Sequence, residues 1–521
     1  MLNASLSPAT TRRVERAFAL RSGRAGEDSF LPRAVQTDNG DEAHYADKSG
    51  TYTKGLLQAR IGVVDPNAYA SFRRALASGR PEDFQNMITG GPRTQNGPQG
   101  GLSFYLACPD ADQFNVRAAP KLAGEEYAAE LIELYWGSLL RDTAFTNYGA
   151  STVAQAAATE LTALASYAGP RNAANQVTPD LLFRGVFAGE KAGPYVSQLL
   201  LQPADFGTLP ITQRYTTNVP GADFMLDPME FQNVQNGIAT GKSLSQLKAG
   251  GVPSLLYLHD GRGLAAYTHE DVLYEAYFIA MLSLMKMKAK PNDGNPYSMS
   301  TSQNGFASFG PPDMASTLAA VAGAALRAVW YQKWWVHLRH RPESGGGIVH
   351  LLKTGQGASI DGHVSATVLN SNAVAQSHAK FNSWFLAQAF PEGSPTHPAY
   401  PTGHGAVGGA CITVLKFFFE GSQLLANPVA PAPDGGALVP YTGTDAGTLT
   451  LDGELHKLAS NISFGHGIHA GIHWRSDTKT SMELGEAVAL SYLKNQALTY
   501  NEKFSITLTR LDGTKETISN R

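Results

Sequence analysis

Three short clusters in the C-terminal half carry residue types that could hold and transform an oxyanion. The first is Lys333-Trp334-Trp335-Val336-His337-Leu338-Arg339-His340-Arg341-Pro342. Eight helical positions turn through about 800°, so Lys333 and Arg341 would point within roughly 80° of each other. Arginine offers a planar fork to an oxyanion and lysine a point charge. A solvated basic helix end has the same composition. The second cluster, His397-Pro398-Ala399-Tyr400-Pro401-Thr402-Gly403-His404-Gly405, is a loop running into a helix. Free N–H groups at a helix start attract anions. Thr402 adds a hydroxyl, Gly403 permits close backbone approach, and His404 could move a proton near neutral pH. Taken alone, this is also an ordinary cap with a satisfied histidine. The third cluster runs from His466 to Asp477 (HGIHAGIHWRSD). His473 and Asp477 are four apart, so the carboxylate can take the proton of one ring nitrogen and leave the other as ligand or nucleophile. His466 and His469 could instead join His473 around a first-row metal.

These clusters need elements to position them. Apolar residues recur at three and four from Lys121 to Tyr167, which predicts helices closed by Gly169 and Pro170. Thr268 and Asp271 resemble a capping box opening a helix to about Met287. One long helix is expected over Met314–Arg339, stopped by Pro342. Further helices are expected over Ser377–Phe390, Gly405–Glu420 and Gly471–Gln496. Phe504–Ile518 reads as a hairpin about Asp512-Gly513. Loops are expected at Gly91–Gly101, Lys290–Tyr297 and Asn427–Tyr441, and residues up to about Gly55 read as an irregular arm. The fold class is mainly α: helical bundles with minor β-hairpins. The natural division is 1–300, an N-terminal helical part with an oligomerisation arm, and 301–521, which carries the oxyanion site, the two forming one compact unit.

Composition narrows the function further. Only 16% of the 521 residues are charged and the formal net charge is −3. A chain so poor in charge must hide much of its surface, which favours a homo-oligomer. No basic stripe points to nucleic acid. Cys108 and Cys411 are too few for a disulfide framework and read as buried thiols. The first residues lack the apolar core of a secretion signal. The best apolar run, Leu318–Tyr331, is short and carries Arg327, so no membrane span is expected. The chain reads as soluble, and its compartment is left open. Only His44, His259 and His269 precede His337; the other eleven of fourteen histidines lie from there to His473.

The ordered set of Lys333, seven residues and Arg341-Pro342, then Thr402-Gly403-His404, then His473-x-x-x-Asp477, resembles the vanadium-dependent haloperoxidases, which are related in fold to bacterial acid phosphatases. Trp330-Tyr331-Gln332-Lys333-Trp334 and Glu392-Gly393-Ser394-Pro395-Thr396-His397-Pro398 are similar to the algal and cyanobacterial bromoperoxidases. The resemblance implies a vanadate cofactor with His473 as the axial vanadium ligand. Asp477, Trp330 and His466 would stand around that shell. Lys333, Arg341, Thr402, the Gly403 N–H and His404 would bind the oxyanion. Lys333, His397 and His404 would serve catalysis, with His404 handling protons. Hydrogen peroxide would oxidise a halide to hypohalous acid, which halogenates small organic nucleophiles. His397 matches bromoperoxidases, whereas tryptophan at Trp330 is found in a chloroperoxidase, so bromide is expected and chloride or iodide stay open. Phosphate, with the same shape, would compete for the pocket.

One departure stands out. The family has a second arginine six residues before the axial histidine, and here that place is Gly467. Losing a charge-assisted partner costs about 1.5–3 kcal/mol, or one to two powers of ten in affinity. A shifted alignment would let His466 act as donor instead. The same pocket could serve a phosphatase with His473 as nucleophile, or belong to a non-catalytic homologue. Assemblies of the longer family members suggest a dimer or dodecamer.

Overall fold

The computed structural model describes residues 8–105 and 109–520. Cys108 lies outside them; Cys411 is a free, fully buried thiol. Helices dominate the described residues, and strands pair only in twos. The helices that matter most are α1 (Pro8–Phe30), α2 (Glu125–Leu140), α3 (Gly261–Glu270), α4 (Glu275–Lys286), α5 (Pro311–Tyr331), α6 (Pro342–Lys353), α7 (Gly403–Phe418), α8 (Leu451–Phe464) and α9 (Arg475–Ala497).

Helix α7 is the axis of the site-bearing bundle. Its sequence is small or apolar on every face, the signature of a helix surrounded by protein. Every one of its residues is buried. Helices α5, α8 and α9 pack around it. The α7–α9 approach is backbone to backbone, because glycines stand where side chains would collide. A Cβ at Gly409 would run into the Met482 carbonyl, and one at Gly485 into the Ala406 carbonyl. This contact sets the distance between Thr402-Gly403-His404 at one helix start and His473–Asp477 at the other. One apolar core draws residues from Tyr45 to Ile518, so α2 and its neighbours in the N-terminal half pack into the same interior.

Several expected elements differ. Residues 8–30 are not irregular: they form helix α1, and Arg16 ties it to the carbonyls of Leu498 and Tyr500 at 2.6 and 2.8 Å. Thr268 does not open a helix. It lies inside α3, its hydroxyl donating to the Leu264 carbonyl, and the next helix begins at Glu275. The helix expected over Ser377–Phe390 is Asn372–Phe381; Asn382 takes a left-handed conformation and stops it. The helix expected over Met314–Arg339 starts at Pro311 and is α-helical to Tyr331. It then widens into a π-turn, Gln332–His337, ended by Leu338 at φ 45°. By length and composition Pro311–His337 could cross a bilayer, but half of its apolar window is buried against α7 and α9. Helix α9 begins at Arg475 rather than Gly471, after a second π-turn, Gly465–His469. The C-terminal hairpin forms as read, with Ser505–Thr509 paired to Lys515–Ser519 and Gly513 at φ 84° in the turn.

Candidate active site

The first sequence cluster does not lie on one continuous helix. Lys333 stands on the π-turn, and Arg341 immediately precedes α6, beyond the left-handed Leu338. The break itself brings the two cations to one loop. Lys333 Nζ donates to the carbonyls of Pro398 and Ala399, both at 2.8 Å. Arg341 Nε donates to the His397 carbonyl at 2.9 Å. Arg341 Nη1 lies 2.8 Å from both the Ile472 carbonyl and His473 Nε2. Its other nitrogen, Nη2, is 2.9 Å from His397 Nδ1.

Every one of these partners is neutral. Both cations are buried, and among the described residues neither has a carboxylate within ion-pair distance. Burial holds the Lys333 ammonium well below its ordinary range, and the nearby Arg341 charge adds to this. Burial also lowers the Arg341 guanidinium to about 10. Two desolvated cations without a counter-ion are costly unless an anion joins them.

The second cluster provides the remaining donors. Thr402 is the N-cap of α7, yet its side chain makes no capping bond. Its hydroxyl is buried with no partner at all. The N–H groups of the first turn, Gly403 among them, have no carbonyl within the helix to bond. A helix start, an idle hydroxyl and two unpaired cations together form a cradle for a tetrahedral oxyanion.

The third cluster supplies a poised imidazole. His473 precedes α9, and its Nδ1 lies 2.8 Å from Asp477 Oδ2. Asp477 also accepts from the Trp474 N–H at 3.1 Å and from Arg339 at 2.8 Å. Arg339 in turn reaches Glu130 at 2.8 Å. This charged network holds Nδ1–H toward the carboxylate and leaves the Nε2 lone pair facing Arg341. Burial keeps His473 neutral, its protonation pushed well below the usual range, and the Arg341 and Lys333 charges act the same way.

His404, His397, His466 and Trp330 complete the walls. His404 Nε2 is 3.1 Å from Asp271 Oδ1. The His466 ring lies 4.1 Å from that of His404 and 5.6 Å from that of His473. Trp330 packs 4.8 Å from His397, and its indole N–H donates to the carbonyls of Asn96 and Gly97. The glycine-rich segment 91–101 is therefore a wall behind the tryptophan.

All the site residues read from the sequence thus come together. The three-histidine metal alternative does not form. His469 turns away to Tyr195 Oη at 2.8 Å, and no metal-holding cluster of three or more His, Cys, Asp or Glu occurs among the described residues. Arg475 is also turned away, onto Glu133 and the Arg184 carbonyl. Gly467 lies close against His473: a Cβ there would sit 3.3 Å from His473 Cβ, tight contact that a larger side chain would have to relieve. Two participants were missed, Arg339 behind Asp477 and Asp271 behind His404. Asp271 lies 133 residues from its partner, a pairing that spacing cannot show. Arg339 offered one signal, its place two residues before Arg341 in a buried basic run.

Known proteins share this shape. Residues 313–501 match the family model of the VCPO second helical-bundle domain. The vanadium-dependent bromoperoxidase of Corallina officinalis is 31% identical over 94% of each chain. That of Ascophyllum nodosum is 30% identical over 94% of this chain and 90% of its own. The homohexameric structure of the second vanadate-dependent bromoperoxidase from Ascophyllum nodosum superposes with a TM-score of 0.91 at 28% identity, covering 99% of this chain and 93% of that one. Identity of 31% over 94% of each chain, within a fold shared over nearly the whole length, places this chain in the vanadium-dependent bromoperoxidase family.

Proposed function

We propose that the cradle between α7 and α9 holds vanadate, and that the protein uses it to oxidise bromide with hydrogen peroxide. The observation that carries this reading is the pair of buried cations, Lys333 and Arg341, with no carboxylate in ion-pair contact among the described residues, beside the idle Thr402 hydroxyl. Lys333 and Arg341 would neutralise the oxyanion's charge. Thr402 Oγ1 and the Gly403 N–H would donate to its oxygens. His473 Nε2 would hold the vanadium, its tautomer set by Asp477. Vanadate held there would supply Lewis-acid activation of hydrogen peroxide towards bromide. Bromide, peroxide and one proton give hypobromous acid and water. His404, backed by Asp271, is placed to move that proton. His397 and Trp330 wall the side of the pocket next to Arg341.

Bromination of a phenol-red-type dye by metal-stripped protein tests this directly. Activity is expected only after orthovanadate is added, and phosphate should suppress it. A folded protein that stays inactive at every vanadate concentration would overturn the reading. Hydrolysis of a phosphate ester through His473 would then be the next activity to assay.

We also infer a homo-oligomer. The low charge content supports it, as do the exposed Val14, Phe18, Phe30, Leu31 and Val35 on and after α1. The related Ascophyllum structure is a homohexamer, which favours a six-subunit assembly over the dimer or dodecamer read from the sequence. Sedimentation velocity gives the assembly mass, and a monomer would refute the inference.

A further inference from the structure

The π-turn Gly465–His469 has a specific effect on the pocket. Its wide turn is closed by Ala470 N–H to the Gly465 carbonyl at 3.1 Å and by Ile472 N–H to the Gly467 carbonyl at 2.9 Å, each five residues back rather than four. Such a turn holds one residue more than an α-turn, so it shifts which side chain faces a given direction. Here Gly467 packs against His473, and His466 stands in the space between His404 and His473. His466 is also an unused polar side chain. It is nine-tenths buried or more, and its Nδ1 has no hydrogen-bond partner. A neutral imidazole offers one N–H donor and one acceptor. Leaving such a group buried and unsatisfied is costly unless a ligand meets it.

We propose that the π-turn presents His466 as an additional, neutral hydrogen-bond donor to the bound oxyanion, replacing a cationic contact with an uncharged one. This rests on the vanadate reading above. It makes the pocket one with two fixed cations and an imidazole donor. Its affinity for oxyanion should depend on His466 by about the worth of one neutral hydrogen bond, roughly tenfold.

The test is equilibrium binding of orthovanadate to the metal-stripped full-length protein, followed by titration calorimetry. His466→Leu, which keeps the volume and removes both nitrogens, should weaken binding about tenfold. His466→Gln, which keeps an N–H donor, should bind within about threefold of the unaltered protein. Circular dichroism checks that each variant is folded; if the leucine variant is not, weakening by His466→Phe with rescue by His466→Gln carries the same meaning. Unaltered protein that binds orthovanadate, together with folded His466→Leu and His466→Gln that bind equally well, would overturn this proposal alone. Unaltered protein that binds none would overturn the vanadate reading and this proposal with it. Gly467→Arg should not tighten binding; a tighter complex would show that position 467, not 466, faces the oxyanion.

Discussion

Thr402 separates binding from stability more cleanly than any other residue in the pocket. Its hydroxyl is fully buried and has no partner in the protein. An unsatisfied buried hydroxyl costs about 1–3 kcal/mol. Valine has the same shape without the oxygen, so Thr402→Val should stabilise the metal-stripped protein by about 1 kcal/mol. The same change removes one donor to the oxyanion and should weaken orthovanadate binding about tenfold. A urea melt and a binding titration on one preparation check both. A variant that loses stability would mean that the hydroxyl already serves the protein, and the cradle reading would lose its idle donor. The contrast with Asp477 is instructive. That carboxylate has three partners, His473, Trp474 N–H and Arg339. Removing it should unsettle both fold and activity, so it cannot tell the two apart.

At the scale of elements, the site depends on how closely α7 meets α9. Gly409→Ala would drive a methyl group into the Met482 carbonyl, which is backbone and cannot swing aside. Overpacking of this kind costs about 3 kcal/mol at its upper usual range. The helices must then part, moving Thr402 and His404 relative to His473. Tm should fall by several degrees and vanadate affinity with it; an unchanged melting curve would refute the tight contact. The residues of the site were legible in the sequence because their chemistry is rare and ordered: a buried lysine and arginine, Thr-Gly-His, and His with Asp four later. The elements that aim them were less so. Periodicity gave the starts of α5, α7 and α9 within four residues, but not the two π-turns, which insert one residue without changing composition. The left-handed stops at Leu338 and Asn382 occur at residues that carry no turn signal strong enough to outweigh a helical run. Arg339, Asp271 and Glu130 act across 133 to 209 residues, and only the folded chain brings them to their partners.

The whole molecule buries far more histidine than its pocket needs, and this sets its response to acid. His337, His340, His456 and His469 lie outside the proposed ligand shell. Burial pushes each of them down to about 3, helped in each case by a nearby cation. Unfolded, the same groups titrate near 6.5. Their folded values are depressed, so the unfolded chain binds more protons between about pH 6.5 and pH 3. Stability is therefore present above pH 6.5 and is lost as pH falls through that window. Well inside it, each histidine contributes about 1.4 kcal/mol per pH unit. Glu190 opposes them: burial raises it to about 7, so between its ordinary value and 7 the folded state holds the extra proton. Four histidines against this one carboxyl leave the histidines the larger contribution, by a few kcal/mol per pH unit at most, about 1.4 kcal/mol for each unopposed group. That is large beside the usual 5–15 kcal/mol of a folded domain. The urea midpoint should fall steeply from pH 7.5 to pH 5.5, with or without vanadate, because none of the four touches the cradle. A midpoint that holds steady or rises over this range would show that these imidazoles already carry protons in the folded protein, and that the interior around α2, α7 and α8 is wetter than its packing indicates.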